Sequence, residues 1–192
     1  MKTYDEDWSY RSSPDQNRMT EWFKNKDLSN KKILHIGIGD SSFALSIAAN
    51  KIDGITISQI EIDNAKQLNI KNYDIYYLDK YSFLLNNLPN TYDYIVDNNM
   101  FNFTSCNICI ANYFYSLVQL LNIDGQIITD TGGMFLEGEQ QWTINKFKDL
   151  IQELNLPLSI TEYEKEKSQH FFYVIGLKKT HEYKNPFSNC TS

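Results

Sequence analysis

Two spacings of apolar residues take turns along this chain. Ile33 to Ile38 is an almost unbroken apolar run, the length of one buried strand. Similar short runs at Ile52–Ile57, Tyr73–Leu78, Tyr92–Val96 and Gln126–Thr131 are expected as four more strands. Between them the spacing turns helical. Phe43 and Ile47, with Ala44 and Ala48, share a face within Ser42–Ala49, and Ile110, Phe114, Leu117 and Leu121 share one within Cys106–Leu121. Ser58, with Glu61 three residues on, reads as a capping box for a helix reaching Leu68. A short helix is expected around Tyr81–Asn87 and another over Gln140–Leu154. The chain then changes habit: Leu158–Tyr163 and Phe171–Leu177 are two strands joined by the charged segment 164–169, with no room for a helix.

Five strands alternating with helices build a parallel sheet covered on both faces. Two final strands without a crossover must pair antiparallel. The expected fold is therefore α/β and doubly wound, a mostly parallel seven-stranded sheet ending in an antiparallel β-hairpin. Residues 31–178 hold it, and residues 179–192 form a tail. Residues 1–30 are polar with embedded aromatics. Within them Ser13-Pro14 starts a helix whose Met19, Trp22 and Phe23 make one apolar face. This segment is expected as a helical cap on the sheet or a lid over its cleft.

The most informative chemistry follows the first strand. Gly37, Ile38, Gly39, Asp40 and Ser41 break the apolar run just before a helix. Strand, glycine turn and helix start set backbone N–H groups beside a cleft at the carboxyl end of a parallel strand, where nucleotide-like ligands bind. Glycine at 37 admits a ligand close to the backbone, and glycine at 39 allows a positive φ. The third glycine of a dinucleotide fingerprint is absent. The same turn would also close a βα unit in any doubly wound domain.

The run Leu34-His-Ile-Gly-Ile-Gly-Asp-Ser41, together with the terminal hairpin, resembles the first motif and topology of class I S-adenosylmethionine (SAM)-dependent methyltransferases, a Rossmann-like fold. That family usually carries an acid where this chain has His35. Gly54-Ile-Thr-Ile-Ser-Gln-Ile-Glu-Ile-Asp-Asn-Ala65 is similar to a stretch of the cyclopropane-synthase-like branch. The resemblance implies that His35, Gly37, Ile38, Gly39 and Ser41 border the methionine end of the cofactor. Thr56, Ile57 and Glu61 would lie against the ribose, and Asp79 and Lys80 by the adenine. It places Asp97, Asn98, Asn99 and Phe101 at the fourth motif, facing the transferred methyl and the acceptor. Asp97 is expected beside the cofactor as well, and Asp97, Asn98 and His170 are the candidate catalytic groups. Tyr10 and Arg11 are expected to wall the acceptor pocket with Asn99 and Phe101. The implied activity is methyl transfer to a small molecule, with SAM as cofactor and no metal. A nucleic-acid or protein methyltransferase and a non-catalytic binding protein are the alternatives.

Charge narrows the partners. A net charge of −6 without a basic stripe argues against general phosphate-backbone binding. Asn98-Asn-Met-Phe101 also lacks the paired prolines of amino-methylating nucleic-acid enzymes. No run approaches the roughly 18 apolar residues of a membrane helix, and the start shows no apolar signal region. Three cysteines, Cys106, Cys109 and Cys190, are an odd number. They point to a reducing, cytoplasmic setting, with the Cys106-x-x-Cys109 pair expected as buried or helix-start thiols.

Overall fold

The computed structural model describes residues 13–100, 106–130, 143–164 and 171–177. Helix α1 (Pro14–Phe23) precedes β1 (Lys32–Ile36), α2 (Ser42–Ser46), β2 (Lys51–Thr56), α3 (Gln59–Gln67) and β3 (Tyr73–Tyr77). A 3-10 turn (Phe83–Asn87) leads to β4 (Tyr92–Asp97), α4 (Asn107–Leu120), β5 (Leu121–Asp130), α5 (Ile144–Glu153), β6 (Leu158–Glu164) and β7 (Phe171–Leu177). The strands form one sheet in the order β3-β2-β1-β4-β5-β7-β6. Strands β1 to β5 pair in parallel, and β7 runs antiparallel between β5 and β6. The strand order reverses between β1 and β4, and that switch point opens a crevice at the carboxyl ends of the strands.

Alternate residues of each strand feed two cores. Leu34, Ile36, Ile95 and Ile127 pack with Phe114, Leu117 and Phe147 of α4 and α5. Ile33, Val96, Ile128 and Val174 pack on the other face with Met19 and Phe23 of α1 and Phe43 of α2. Helix α1 is thus a docked layer. Ser13 caps it by accepting from the Gln16 amide at 3.4 Å, and Pro14 supplies its first turn.

Two elements depart from the sequence pattern. Helix α2 stops at Ser46 and not near Ala49. There the Ser46 hydroxyl turns back onto the Ser42 carbonyl at 2.6 Å, and β-branched Ile47 adopts an extended backbone. Strand β5 begins at Leu121, earlier than expected, because the anticipated turn at 122–125 is a bulge inside it. Tyr92 pairs with Leu121 and Tyr94 with Gln126, so residues 122–125 stand opposite the single Asp93. Gly54 in β2 has a steric reason: a Cβ there would lie 2.6 Å from the Tyr73 hydroxyl and 2.8 Å from Ile38. Its absence lets the Tyr73 ring cross β2 toward the glycine turn.

One ion pair fastens α1 to the sheet. The Arg18 guanidinium donates twice to the Asp130 carboxylate, both bonds 2.6 Å, and Asp130 is fully buried. Removing one member of a buried pair leaves an uncompensated charge. Arg18→Met is expected to lower unfolding free energy in urea by about 3 kcal/mol or more. Lys24→Met, which breaks an exposed pair with Glu21, should cost less than about 1 kcal/mol.

Candidate functional site

The turn after β1 is built from three consecutive odd positions in the left-handed region: Gly37 (φ 74°), Gly39 (φ 49°) and Ser41 (φ 59°). The Gly37 amide donates to the Ile55 carbonyl at 2.9 Å, which ties the turn to β2. The Asp40 carboxylate accepts from the Ser42 amide at 2.9 Å, capping α2 in place of Ser41. A Cβ on Gly37 would meet nothing within 4 Å, so the space above this residue is open. Ile38 points into the core. The Ser41 hydroxyl is fully buried and lacks a hydrogen-bond partner. The Tyr73 hydroxyl lies toward it without reaching hydrogen-bond geometry, and burial raises that phenol's pKa.

His35 is buried within β1, its ring 4.7 Å from that of Phe43. Nδ1 is buried without a hydrogen-bond partner. Burial pulls the imidazole down to about 4, against the opposing pull of Asp97 and Asp40. At neutral pH this is a neutral ring in a place where an acid would be charged.

At the end of β2 the sequence-predicted pair meets. The Thr56 hydroxyl donates to Glu61 Oε2 at 2.6 Å and accepts from the Ser58 amide at 3.1 Å. The Glu61 amide donates to Ser58 Oγ at 3.3 Å, so half of the capping box forms and Thr56 takes the other half. The outcome is a carboxylate held at the strand end, 4% exposed. Ile57 is half-buried beside it.

Strands β3 and β4 end in a network that the sequence did not reveal. Asp97, 1% exposed, accepts from Lys80 Nζ at 3.0 Å, the Tyr113 hydroxyl at 2.6 Å and the Asn99 amide at 2.9 Å. The Lys80 ammonium also donates to the Asn99 carbonyl and stands 5.3 Å and 5.5 Å from the Tyr81 and Tyr113 ring centres. Burial lowers the Lys80 pKa while Asp97 raises it. Burial and the Asp97 charge both raise the Tyr113 phenol. Asp97 thus accepts from three donors supplied by three different segments of the chain. Lys80 faces inward for the same reason. Asp79 accepts from the Tyr81 amide at 2.9 Å and remains half-exposed.

Helix α1 supplies a further wall. Asn98 Nδ2 donates to Asp15 Oδ2 at 3.2 Å and reaches Ser13 Oγ at 3.4 Å, while Gln16 Nε2 reaches Ser42 Oγ at 3.5 Å. The start of α1 therefore spans the ends of β1 and β4. Sequence reasoning missed Asp15, Gln16 and Tyr113. The only hint was a polar first turn on an otherwise apolar-faced helix. Tyr10, Arg11, Phe101 and His170 lie outside the described residues.

Compared by sequence, the chain matches no protein-family model and no curated protein. Compared by structure, it resembles a TehB-like SAM-dependent methyltransferase from Corynebacterium glutamicum (17% identity, TM-score 0.63, covering 83% of this chain and 86% of that one). It also resembles the N-methyltransferase NodS from Bradyrhizobium japonicum in complex with S-adenosylhomocysteine (13%, 0.63, 92% and 94%). An rRNA methylase from Streptococcus thermophilus matches as well (8%, 0.59, 88% and 99%). The fold is that of the class I methyltransferases.

The residues present suit that fold's cofactor. The crevice offers open space above Gly37, a buried carboxylate one strand away at Glu61, and buried polar atoms on Ser41 and His35 without partners. One expectation fails next to it. Cys106 and Cys109 do stand at the start of α4, but they are joined in a disulfide, Cα atoms 5.2 Å apart, and are not free thiols. Their spacing on the first turn of α4 brings the two sulfurs together.

The His35 ring has a folded pKa of about 4 against an ordinary 6.5, so the unfolded chain binds the extra proton between those values. Its contribution to stability is present above about pH 6.5 and is lost as pH falls toward 4. His35→Gln should flatten the pH dependence of unfolding free energy in that window by up to about 3 kcal/mol relative to wild type.

Proposed function

We propose that this protein is a SAM-dependent methyltransferase whose acceptor is a small molecule. The observation that carries the reading is the open glycine turn at the β1 switch point, with the Glu61 carboxylate held at the end of β2. SAM, when bound, supplies an electrophilic methyl group on a sulfonium.

The chain's own residues bind and orient. Backbone around Gly37 and Gly39 admits the ligand, and Ser41 and His35 present polar atoms to its amino-acid end. Glu61 receives ribose hydroxyls, with Thr56 as its positioning residue, in the manner of the cyclopropane-synthase-like branch. Asp79 faces the adenine amine, and Lys80 beside it is held inward by Asp97. Asn98 and Asn99, fixed by Asp97 and α1, border the acceptor. Holding the reactants in line supplies most of the acceleration in a reaction of this kind. The negative net charge favours a small acceptor over RNA. The likeness to an rRNA methylase makes salt-dependent RNA binding the observation that would favour the second reading.

Calorimetry with S-adenosylhomocysteine tests the proposal. Gly37→Val should abolish binding, because its side chain would fill the open space and strain a positive φ. Glu61→Ala should weaken binding by roughly tenfold or more, the loss of a charged acceptor. Wild-type protein that binds NAD tightly and ignores S-adenosylhomocysteine would overturn the assignment.

A further inference from the structure

The methyl-transfer reading has no use for the Cys106–Cys109 pair, yet its placement is specific. Cys106 is the N-cap of α4, a helix of 14 residues, and its sulfur accepts from the Cys109 amide at 3.2 Å. Cys106 is exposed and Cys109 half-buried. Both sulfurs are close enough to be bonded. A helix start stabilises a thiolate through its unpaired amides and dipole, lowering the thiol below its usual value of about 8.5. Accessibility, anion stabilisation and a resolving partner one turn away are the three requirements of a reversible thiol site.

We propose that Cys106 and Cys109 form a redox modification site that exchanges electrons with a small disulfide of the glutathione class. The Cys106 thiolate attacks one sulfur of the external disulfide, a mixed disulfide forms, and one glutathione thiolate leaves. The Cys109 thiol gives its proton to solvent and its thiolate attacks the Cys106 sulfur, expelling the second glutathione. Two protein thiols become one disulfide, and the external disulfide accepts two electrons. The site reports inward along α4. Positions 106, 109 and 113 share one helical face, and Tyr113 holds Asp97, which fixes the Asn99 amide. The disulfide braces the first turn of the helix that delivers the Tyr113 hydroxyl to the end of β4.

The test requires neither cofactor nor acceptor, so it stands or falls apart from the function proposed above. Protein carrying Cys190→Ser is equilibrated in stepped ratios of reduced to oxidised glutathione, quenched with acid and alkylated, and its thiols are counted by mass. The oxidised fraction should follow the square of reduced glutathione over oxidised glutathione, as an internal disulfide requires. In the same background Cys109→Ser should trap one glutathione on Cys106, and Cys106→Ser should trap at least about tenfold less on Cys109 at pH 7. Hydrogen exchange at 107–112 should be slower in the disulfide form, with 144–153 unchanged. A pair that stays dithiol at every ratio would overturn the site, as would a stable single adduct following the first power of reduced glutathione. Equal exchange at 107–112 in both forms would overturn the coupling to α4.

Discussion

A buried carboxylate at the end of β4 is the constraint on which the crevice depends. An ionised group taken from water costs several kcal/mol unless its lone pairs are occupied. Asp97 meets that demand with donors from three elements: Lys80 after β3, Tyr113 on α4 and the Asn99 amide in its own turn. One charge therefore sets the position of the loop after β3, the helix behind the sheet and the backbone turn after β4. A buried pair of this kind is weak support for stability in itself. Its consequence is geometric, since each donor must be where the carboxylate can reach it.

The opposite wall follows a similar logic with a different pair. Asp130 at the end of β5 is fully buried and draws Arg18 of α1 onto the sheet. That anchor leaves the first turn of α1, with Asp15 and Gln16, lying across the ends of β1 and β4. The glycine turn follows β1, the strand next to β4, and a Cβ on its Gly37 would meet nothing within 4 Å. The crevice is thus shaped by two buried carboxylates on neighbouring strands, each satisfied from outside the sheet.

The strand series, the glycine turn and the terminal hairpin were legible because they are written in local spacing. Thr56 and Glu61 were legible too, five residues apart across one strand-to-helix turn. The Asp97 network was not, because its partners Lys80 and Tyr113 lie 17 and 16 residues away and no periodicity links them. Arg18 and Asp130 are 112 residues apart. Nothing in the local spacing linked Lys80 to Asp97, 17 residues on. Helix α2 was overestimated because the Phe43–Ile47 spacing outweighed a serine that bonds its own helix backbone. The cysteine spacing was plain, but spacing alone does not set an oxidation state.

Amide chemical shifts followed during titration with S-adenosylhomocysteine test the central claim, a cofactor crevice across the ends of β1 to β4. The account predicts saturable shifts clustered at residues 37–41, 56–61, 79–81 and 98–99, with β6 and α5 silent and NAD producing no comparable pattern. Saturable shifts centred elsewhere, or the same cluster responding to NAD and not to S-adenosylhomocysteine, would contradict it.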